Sequence, residues 1–392
     1  MAARRFQLPG VQELGKQQED ALMLDRDGQH LIIGGPGTGK SVVALLRARR
    51  LQRDGDDYVF LVYNRLLLLA SRQLFGEALR SDTWIGWFRR TFQRMTGNPT
   101  PCRGQPWDID WPAVERLLLD FTPHSHQNLP HLIIDEGQDM PPAFYRSLVA
   151  LGFENFYVVA DQNQQIEPER HSSRQDIQEA LAIAPERVVE LRTNYRNRYP
   201  IARLAREFYT GDPASPPPAL PPVPSGGVDT PILFDYRRDQ YRATLGRILT
   251  LARNQPHKLI GVIAPTDQVR LDYVAGLRAG DAAAGGMVAV RTYASRADVT
   301  GLRFDEGGIM VINAQSCKGL EFDTVFLADI HGHRPGGLDT DLIRKRFYVM
   351  TARARDRLIL LRARSGDSPV LGILPRDPAL LARFPRPPVR EL

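Results

Sequence analysis

Short runs of consecutive apolar residues punctuate the first half of the chain at Leu31 to Ile33, Tyr58 to Tyr63, His131 to Ile134, Phe156 to Ala160 and Arg187 to Leu191, with helical spacing between them. Because these runs are apolar throughout instead of alternating, they predict strands buried on both faces of a parallel sheet, whose connections must be helical crossovers. The pattern returns at Ile232 to Tyr236, Lys258 to Ala264, Val288 to Tyr293, Ile309 to Ala314, Thr324 to Ile330 and Leu358 to Leu361. A second α/β domain follows. Residues Asn194 to Tyr209 have a helical pattern, and the boundary is expected near Leu191: residues 1–190 form one domain and 191–374 the other. Residues 211–227, GDPASPPPALPPVPSGG, carry prolines that forbid helix and favour an extended surface loop inside the second domain, a spacer or a ligand for proline-recognising modules. Residues 375–392, again proline-rich, are expected to form a loosely ordered tail.

Length supports this division, since 392 residues exceed the size at which one core usually stops growing. The excess of 51 Lys and Arg over 45 Asp and Glu, a net +6, is compatible with a polyanionic partner without demanding one. The first residues, MAARRFQLPG, lack a signal-peptide core, and no stretch has the apolar length of a membrane span, so a cytoplasmic location is expected. Cys102 and Cys317 are the only cysteines, which argues against a disulfide framework. His331 and His333 have no second ligand pair beside them and read as a plain loop after a strand, not as a zinc site.

The chemistry concentrates at two strand ends. Gly34 to Ser41, GGPGTGKS, matches G-x-x-x-x-G-K-[ST]: glycines turn backbone amides toward phosphate oxygens, and the helix that follows adds its positive end. Gly35, Pro36, Gly37, Thr38 and Gly39 form this cradle, Lys40 would hold the β and γ phosphates, and Ser41 would offer its hydroxyl to magnesium. Leu132 to Asp139, LIIDEGQD, places two acids at the carboxyl end of a buried strand, where ligands of parallel sheets collect. Asp135 would hold the magnesium ion, leaving Glu136 to orient and deprotonate a water. ATP and Mg2+ are the expected substrate and metal. Arg196 in LRTNYRN and Arg353 in RFYVMTARARDR are arginines of the second half that would stabilise transition-state charge if both domains face one nucleotide.

The order of these motifs resembles superfamily 1 helicases of the UvrD/Rep type, over Leu14 to Leu361. The resemblance implies two RecA-like parallel-sheet P-loop domains with ATP at their interface. LGKQQEDAL is similar to the family's adenine-reading Q motif, with Gln18 at the matching position, and VADQNQQI to its third motif, where Gln164 would link the γ phosphate to the nucleic-acid path. NYR supplies Tyr195, similar to the adenine-stacking tyrosine, and Arg196, similar to the first arginine finger. NAQSCKGLEF resembles the fifth motif, with Glu321 near the ribose and Lys318 and Gly319 at the domain interface; FYVMTARA resembles the sixth, with Arg353 as second finger.

The chain departs from the family's pattern in four places. The aromatic pair that family members place after the third motif is replaced by IEPER, with Glu167 and Glu169 where bases would stack, and stacking is worth roughly 1–3 kcal/mol per base. Gln315 and Ala352 replace the family's histidine and threonine in the fifth and sixth motifs. Val42 stands where an arginine is expected, and the chain has no room for large accessory domains. The remaining candidate nucleic-acid contacts are Tyr63, Asn64, Trp84 and Trp87, the two tryptophans reading equally as core residues. The resemblance implies a DNA helicase or single-stranded DNA translocase moving 3′ to 5′. The alternative is a nucleotide-switched subunit regulating a partner such as a nuclease in DNA repair or phage defence. RNA remains an alternative polymer.

Overall fold

The computed structural model describes residues 4, 6–76, 78–123, 128–161, 171–210, 216–225, 229–295, 299, 301–333, 339–363 and 368–384. The chain divides into two units. One comprises Gln7–Arg192 with Asp212–Pro218; the other comprises Met1–Phe6, Thr193–Gly211 and Ala219–Leu392.

The first unit runs α1 (Lys16–Leu22), β1 (Gln29–Gly34), α2 (Lys40–Asp54), β2 (Tyr58–Val62), α3 (Arg65–Phe75), β3 (Ser81–Thr83), α4 (Trp84–Thr96), α5 (Trp111–Leu118), β4 (His131–Ile134), α6 (Pro142–Ala150), β5 (Phe156–Ala160), α7 (Arg174–Ala180) and β6 (Val188–Leu191). Among the described residues its six strands pair in parallel in the order β3-β2-β4-β5-β1-β6. Successive side chains leave opposite faces of a strand, and both faces are covered here, which is why the sequence shows unbroken apolar runs. Leu31, Ile33, Leu132, Ile134 and Val158 pack with Phe88, Phe144, Leu148 and Ile177 on one side. Ile32, Ile133, Tyr157 and Val159 pack with Val43, Leu46 and Ala21 on the other. The edge strand β3 was not legible, because Ser81, Asp82 and Thr83 carry no apolar signal and pair with β2 through backbone alone.

The second unit runs α8 (Tyr199–Glu207), β7 (Ile232–Tyr236), α9 (Tyr241–Asn254), β8 (Leu259–Ala264), α10 (Asp267–Ala282), β9 (Val290–Arg291), β10 (Gly308–Asn313), β11 (Phe322–Leu327), α11 (Thr340–Thr351), β12 (Ala354–Ala363), α12 (Pro369–Ile373) and β13 (Ala382–Phe384). Its described strands are again all parallel, in the order β13-β7-β12-β11-β8-β10-β9. Two α/β parallel sheets therefore stand where the apolar runs placed them.

Several expectations need correction. The tail from Pro375 is not loose throughout: Leu381 is fully buried and Ala382–Phe384 pair with Ile232–Phe234 as an edge strand, a role in which local propensity is overridden by an available sheet edge. Arg4 belongs to the second unit rather than the first, its guanidinium donating to Asp323 Oδ2 at 2.8 Å and to Phe304 O at 3.1 Å. Of the proline stretch, residues 216–218 group with the first unit. The helix expected from Asn194 begins only at Tyr199, because the Asn194 side chain closes a turn by accepting from Arg196 N and Asn197 N at 3.0 and 3.1 Å.

His333 illustrates how burial acts in the second unit. Its ring is 1% exposed, edge-on to Phe347 at 5.6 Å, and neither nitrogen has a hydrogen-bond partner among the described residues. Burial, with Arg346 and His331 adding repulsion, holds its pKa down to about 3. Between that value and the unfolded value near 6.5 the unfolded chain binds more protons than the folded one, so stability falls as pH drops through this window. At pH 5 the loss attributable to this group is about 2 kcal/mol. His333→Leu should flatten that part of the stability–pH curve, measured by urea denaturation at pH 5 and 7.5; an unchanged slope would exclude His333 as its source.

Candidate functional site

In the first unit the parallel strands bring Gly34, Asp135 and Asp161, each at or just past a strand's carboxyl end, to one edge of the sheet. The glycine-rich loop is tightly folded: Thr38 Oγ1 donates to Gly35 O at 2.9 Å, and Lys40 Nζ donates to the same carbonyl at 3.0 Å while lying 3.5 Å from Asp161 Oδ2. Gly39 has φ +86°, a left-handed conformation that favours glycine, and a Cβ there would press on the end of the Gln18 side chain, 2.1 Å from Nε2. Lys40 then opens α2, whose free amino-terminal N–H groups and dipole favour an anion.

Asp135 and Glu136 follow β4 directly. Asp135 is fully buried; its Oδ1 accepts from Glu136 N at 2.9 Å, while Oδ2 has no partner among the described residues. Burial, then the neighbouring Glu136 charge, push its pKa up to about 7 against the opposing pull of Ser41 and Lys40. Glu136 sits in the left-handed region, φ 55°, a conformation that costs about 1 kcal/mol or more for a non-glycine residue and clusters at functional sites. Its carboxylate is aimed by Gln138, whose Nε2 donates to Glu136 Oε2 at 2.6 Å and whose Oε1 accepts from Asp161 N at 2.9 Å. A Cβ at Gly137 would fall 2.4 Å from Val158 Cγ1, so glycine is what lets this loop lie against β5. Gln138 and Asp161 were not assigned roles from the sequence; the signal available was their position at strand ends.

The hard oxygen donors Ser41 and Asp135 fit a magnesium ion, and a buried carboxylate with an unpartnered oxygen is stabilised in its charged form by a cation. Such an ion would supply charge neutralisation for phosphate oxygens. Among the described residues no three His, Cys, Asp or Glu side chains could hold a metal by themselves.

In the second unit Arg196 Nε donates to Glu321 Oε2 at 3.0 Å, and Arg355 lies 3.8 Å from the other carboxylate oxygen. Although burial opposes it, the attraction of Arg196, Arg355 and Arg4 holds the Glu321 pKa below the usual range. Asn197 fixes the Arg196 segment by donating to Ala352 O and Ala354 O at 3.1 and 2.5 Å. Arg353 is 1% exposed and donates to Val349 O at 2.9 Å and Leu320 O at 3.3 Å, which ties the end of α11 to the segment carrying Gly319, φ +75°, and buried Lys318. Tyr195 is exposed, at 53%.

Of the candidate nucleic-acid contacts, Tyr63 is exposed and Asn64 caps α3 by accepting from Leu67 N at 2.8 Å. Trp87 takes the core reading: it is 8% exposed and edge-on to Phe153 at 5.5 Å. A ring packed in this way presents no face for a base. Trp84 is half-buried, stacked on Trp111 at 6.3 Å and edge-on to Phe144 at 5.2 Å. Gln164, Glu167 and Glu169 lie outside the described residues. No described helix is long and apolar enough to cross a membrane.

A search of the curated proteins found no match. Among solved structures, the chain is similar to the C-terminal domain of a possible DNA helicase from Lactobacillus plantarum WCFS1, at 17% identity and a TM-score of 0.36, over 49% of this chain and 99% of that one. Residues 308–361, from β10 through most of β12, match the family model of the UvrD-like helicase C-terminal domain.

Proposed function

We propose that the chain is an ATP hydrolase of the UvrD-like helicase kind, a motor that uses ATP with Mg2+ to move on single-stranded DNA. The observation that carries this reading is the constellation on the first unit. Lys40 stands 3.5 Å from Asp161, and Gln138 links Asp161 N to Glu136, so the group that would hold phosphate and the group that would activate water share one network. In this reading the loop amides and Lys40 bind the triphosphate, Ser41 and Asp135 hold the metal ion, and Glu136 takes a proton from water in the place Gln138 gives it. Gln18 and Tyr195 would lie toward the base. Arg196 and Arg353 would act as fingers from the second unit, with Glu321 and Gly319 closing the site. The match over residues 308–361 supports the helicase kind.

Burial of Trp87 favours a second reading, because it removes one candidate stacking platform for bases. In that reading the same ATP site switches a partner protein such as a nuclease. ATP turnover with and without single-stranded DNA separates the two. The motor reading expects a several-fold rise, with DNA binding that weakens steeply with salt as counterions are released. Turnover that single-stranded DNA leaves unchanged would overturn it, and stimulation by RNA alone would reassign the polymer.

A further inference from the structure

The helix that carries Gln18 is seven residues long, too short to hold its place unaided, so its position is supplied by what it packs against. Ala21 and Leu22 are buried in the core on the α2 side of the sheet. The carbonyls that end α1 are held by side chains: Tyr157 Oη on β5 donates to Ala21 O at 2.9 Å, and Arg50 Nη1 on α2 donates to Leu22 O at 3.2 Å. Arg47 of α2 grips the turn that follows. Its guanidinium donates through Nη1 to Leu24 O at 2.8 Å, and through Nη2 to Arg26 O at 2.8 Å and to Asp25 O. Arg47 is 2% exposed and lies 5.2 Å from the centre of the Tyr157 ring. A planar fork of donors serves three carbonyls at once, a geometry that an ammonium on a flexible stem does not reproduce.

We propose that Arg47 and Tyr157 are positioning residues for the base side of the nucleotide site: they clamp α1 to the helix of the phosphate loop and so set the affinity for a whole nucleotide more than for its phosphates. The inference rests on the nucleotide-hydrolysis reading above, in which Gln18 lies toward the base. Gln18 precedes Ala21 by three residues on the same short helix, so a clamp on the Ala21 carbonyl and on the turn behind it fixes where the Gln18 backbone stands. Arg47 and Lys40 belong to one helix, α2, seven residues and about 10 Å apart along its axis. One rigid rod therefore carries the phosphate-binding lysine and the clamp on the base-side helix. The phosphate loop has bonds of its own, from Thr38 Oγ1 and Lys40 Nζ to Gly35 O, that do not pass through Arg47. Loosening the clamp thus lowers the fraction of molecules with α1 in place, and affinity for the nucleotide falls by that fraction.

The test compares the wild type with Arg47→Lys, which keeps the charge and loses the fork, and with Tyr157→Phe, which keeps the ring and loses the donor to Ala21 O. Binding of ATP and of inorganic tripolyphosphate, each with Mg2+, is measured beside the KM and kcat of ATP turnover and the urea midpoint. Arg47→Lys should raise the KM and Kd for ATP roughly tenfold, the factor for α1 in place in about a tenth of the molecules. Tyr157→Phe should act in the same sense by roughly two- to threefold, and it decides the matter if Arg47→Lys does not fold. In both variants tripolyphosphate affinity should stay within about threefold of the wild type, and kcat should fall less than KM rises. Equal weakening of ATP and tripolyphosphate, or a lowered urea midpoint with KM unmoved, would make the two residues structural only and overturn the proposal. A wild type that binds tripolyphosphate as tightly as ATP would also overturn it, while leaving the phosphate site standing. Selective loss of ATP binding in the variants of a chain without turnover would sustain the clamp and remove the hydrolysis reading. A wild type that binds neither would remove both.

Discussion

Lys40→Ala should lower ATP turnover by at least roughly 10²- to 10³-fold, the usual consequence of deleting one preorganised electrostatic group from a transition-state site. Lys40 is 7% exposed, and its ammonium is held by Gly35 O at 3.0 Å and Asp161 at 3.5 Å. Truncation removes a positive side chain that stands beside the acids Asp135 and Asp161, so nucleotide binding should fall along with turnover. Glu136→Gln should separate the two effects. It removes the proton acceptor proposed above but leaves the loop, Ser41 and Asp135 in place, so ATP should still bind while hydrolysis stops. Binding is read by a fluorescent ATP analogue and turnover by phosphate release. Retained turnover in either variant would place the chemistry elsewhere.

The positions of the acid pair and the glycine-rich loop at strand ends were legible because each is a compact sequence signal at the end of an apolar strand. What joins them was not. Gln138 sits two residues beyond Glu136, yet its other partner is Asp161 N, at the end of a different strand, and only the parallel neighbourhood of β4 and β5 brings the two together. Arg196 and Glu321 show the same limit: 125 residues separate them, and their motifs carry no sign that they pair with each other in the second unit. The parallel sheets themselves could be read, since double-sided burial leaves continuous apolar runs. Edge strands could not. β3 is polar and β13 lies in a proline-rich tail, and both owe their form to backbone pairing with β2 and β7, which requires no apolar pattern.

The tryptophans are where the two functional readings and the physics of the core meet. Trp87 lies among Phe88, Phe92, Phe144 and Phe153 in the core on the α4–α7 side of the first sheet, with its ring edge-on to Phe153. Replacing it by alanine leaves a cavity that rigid aromatic neighbours refill only in part, so Trp87→Ala should destabilise the first unit by about 3–5 kcal/mol. Trp84→Ala should cost less, because water already reaches part of that ring. Chemical denaturation gives both values, and single-stranded DNA binding is then measured at a temperature where each variant remains folded. Under those conditions Trp87→Ala should bind DNA as the wild type does, and any loss confined to Trp84→Ala would assign the strand contact to the half-buried ring. An unshifted denaturation midpoint for Trp87→Ala, together with lost DNA binding, would show that its ring serves the strand and not the core.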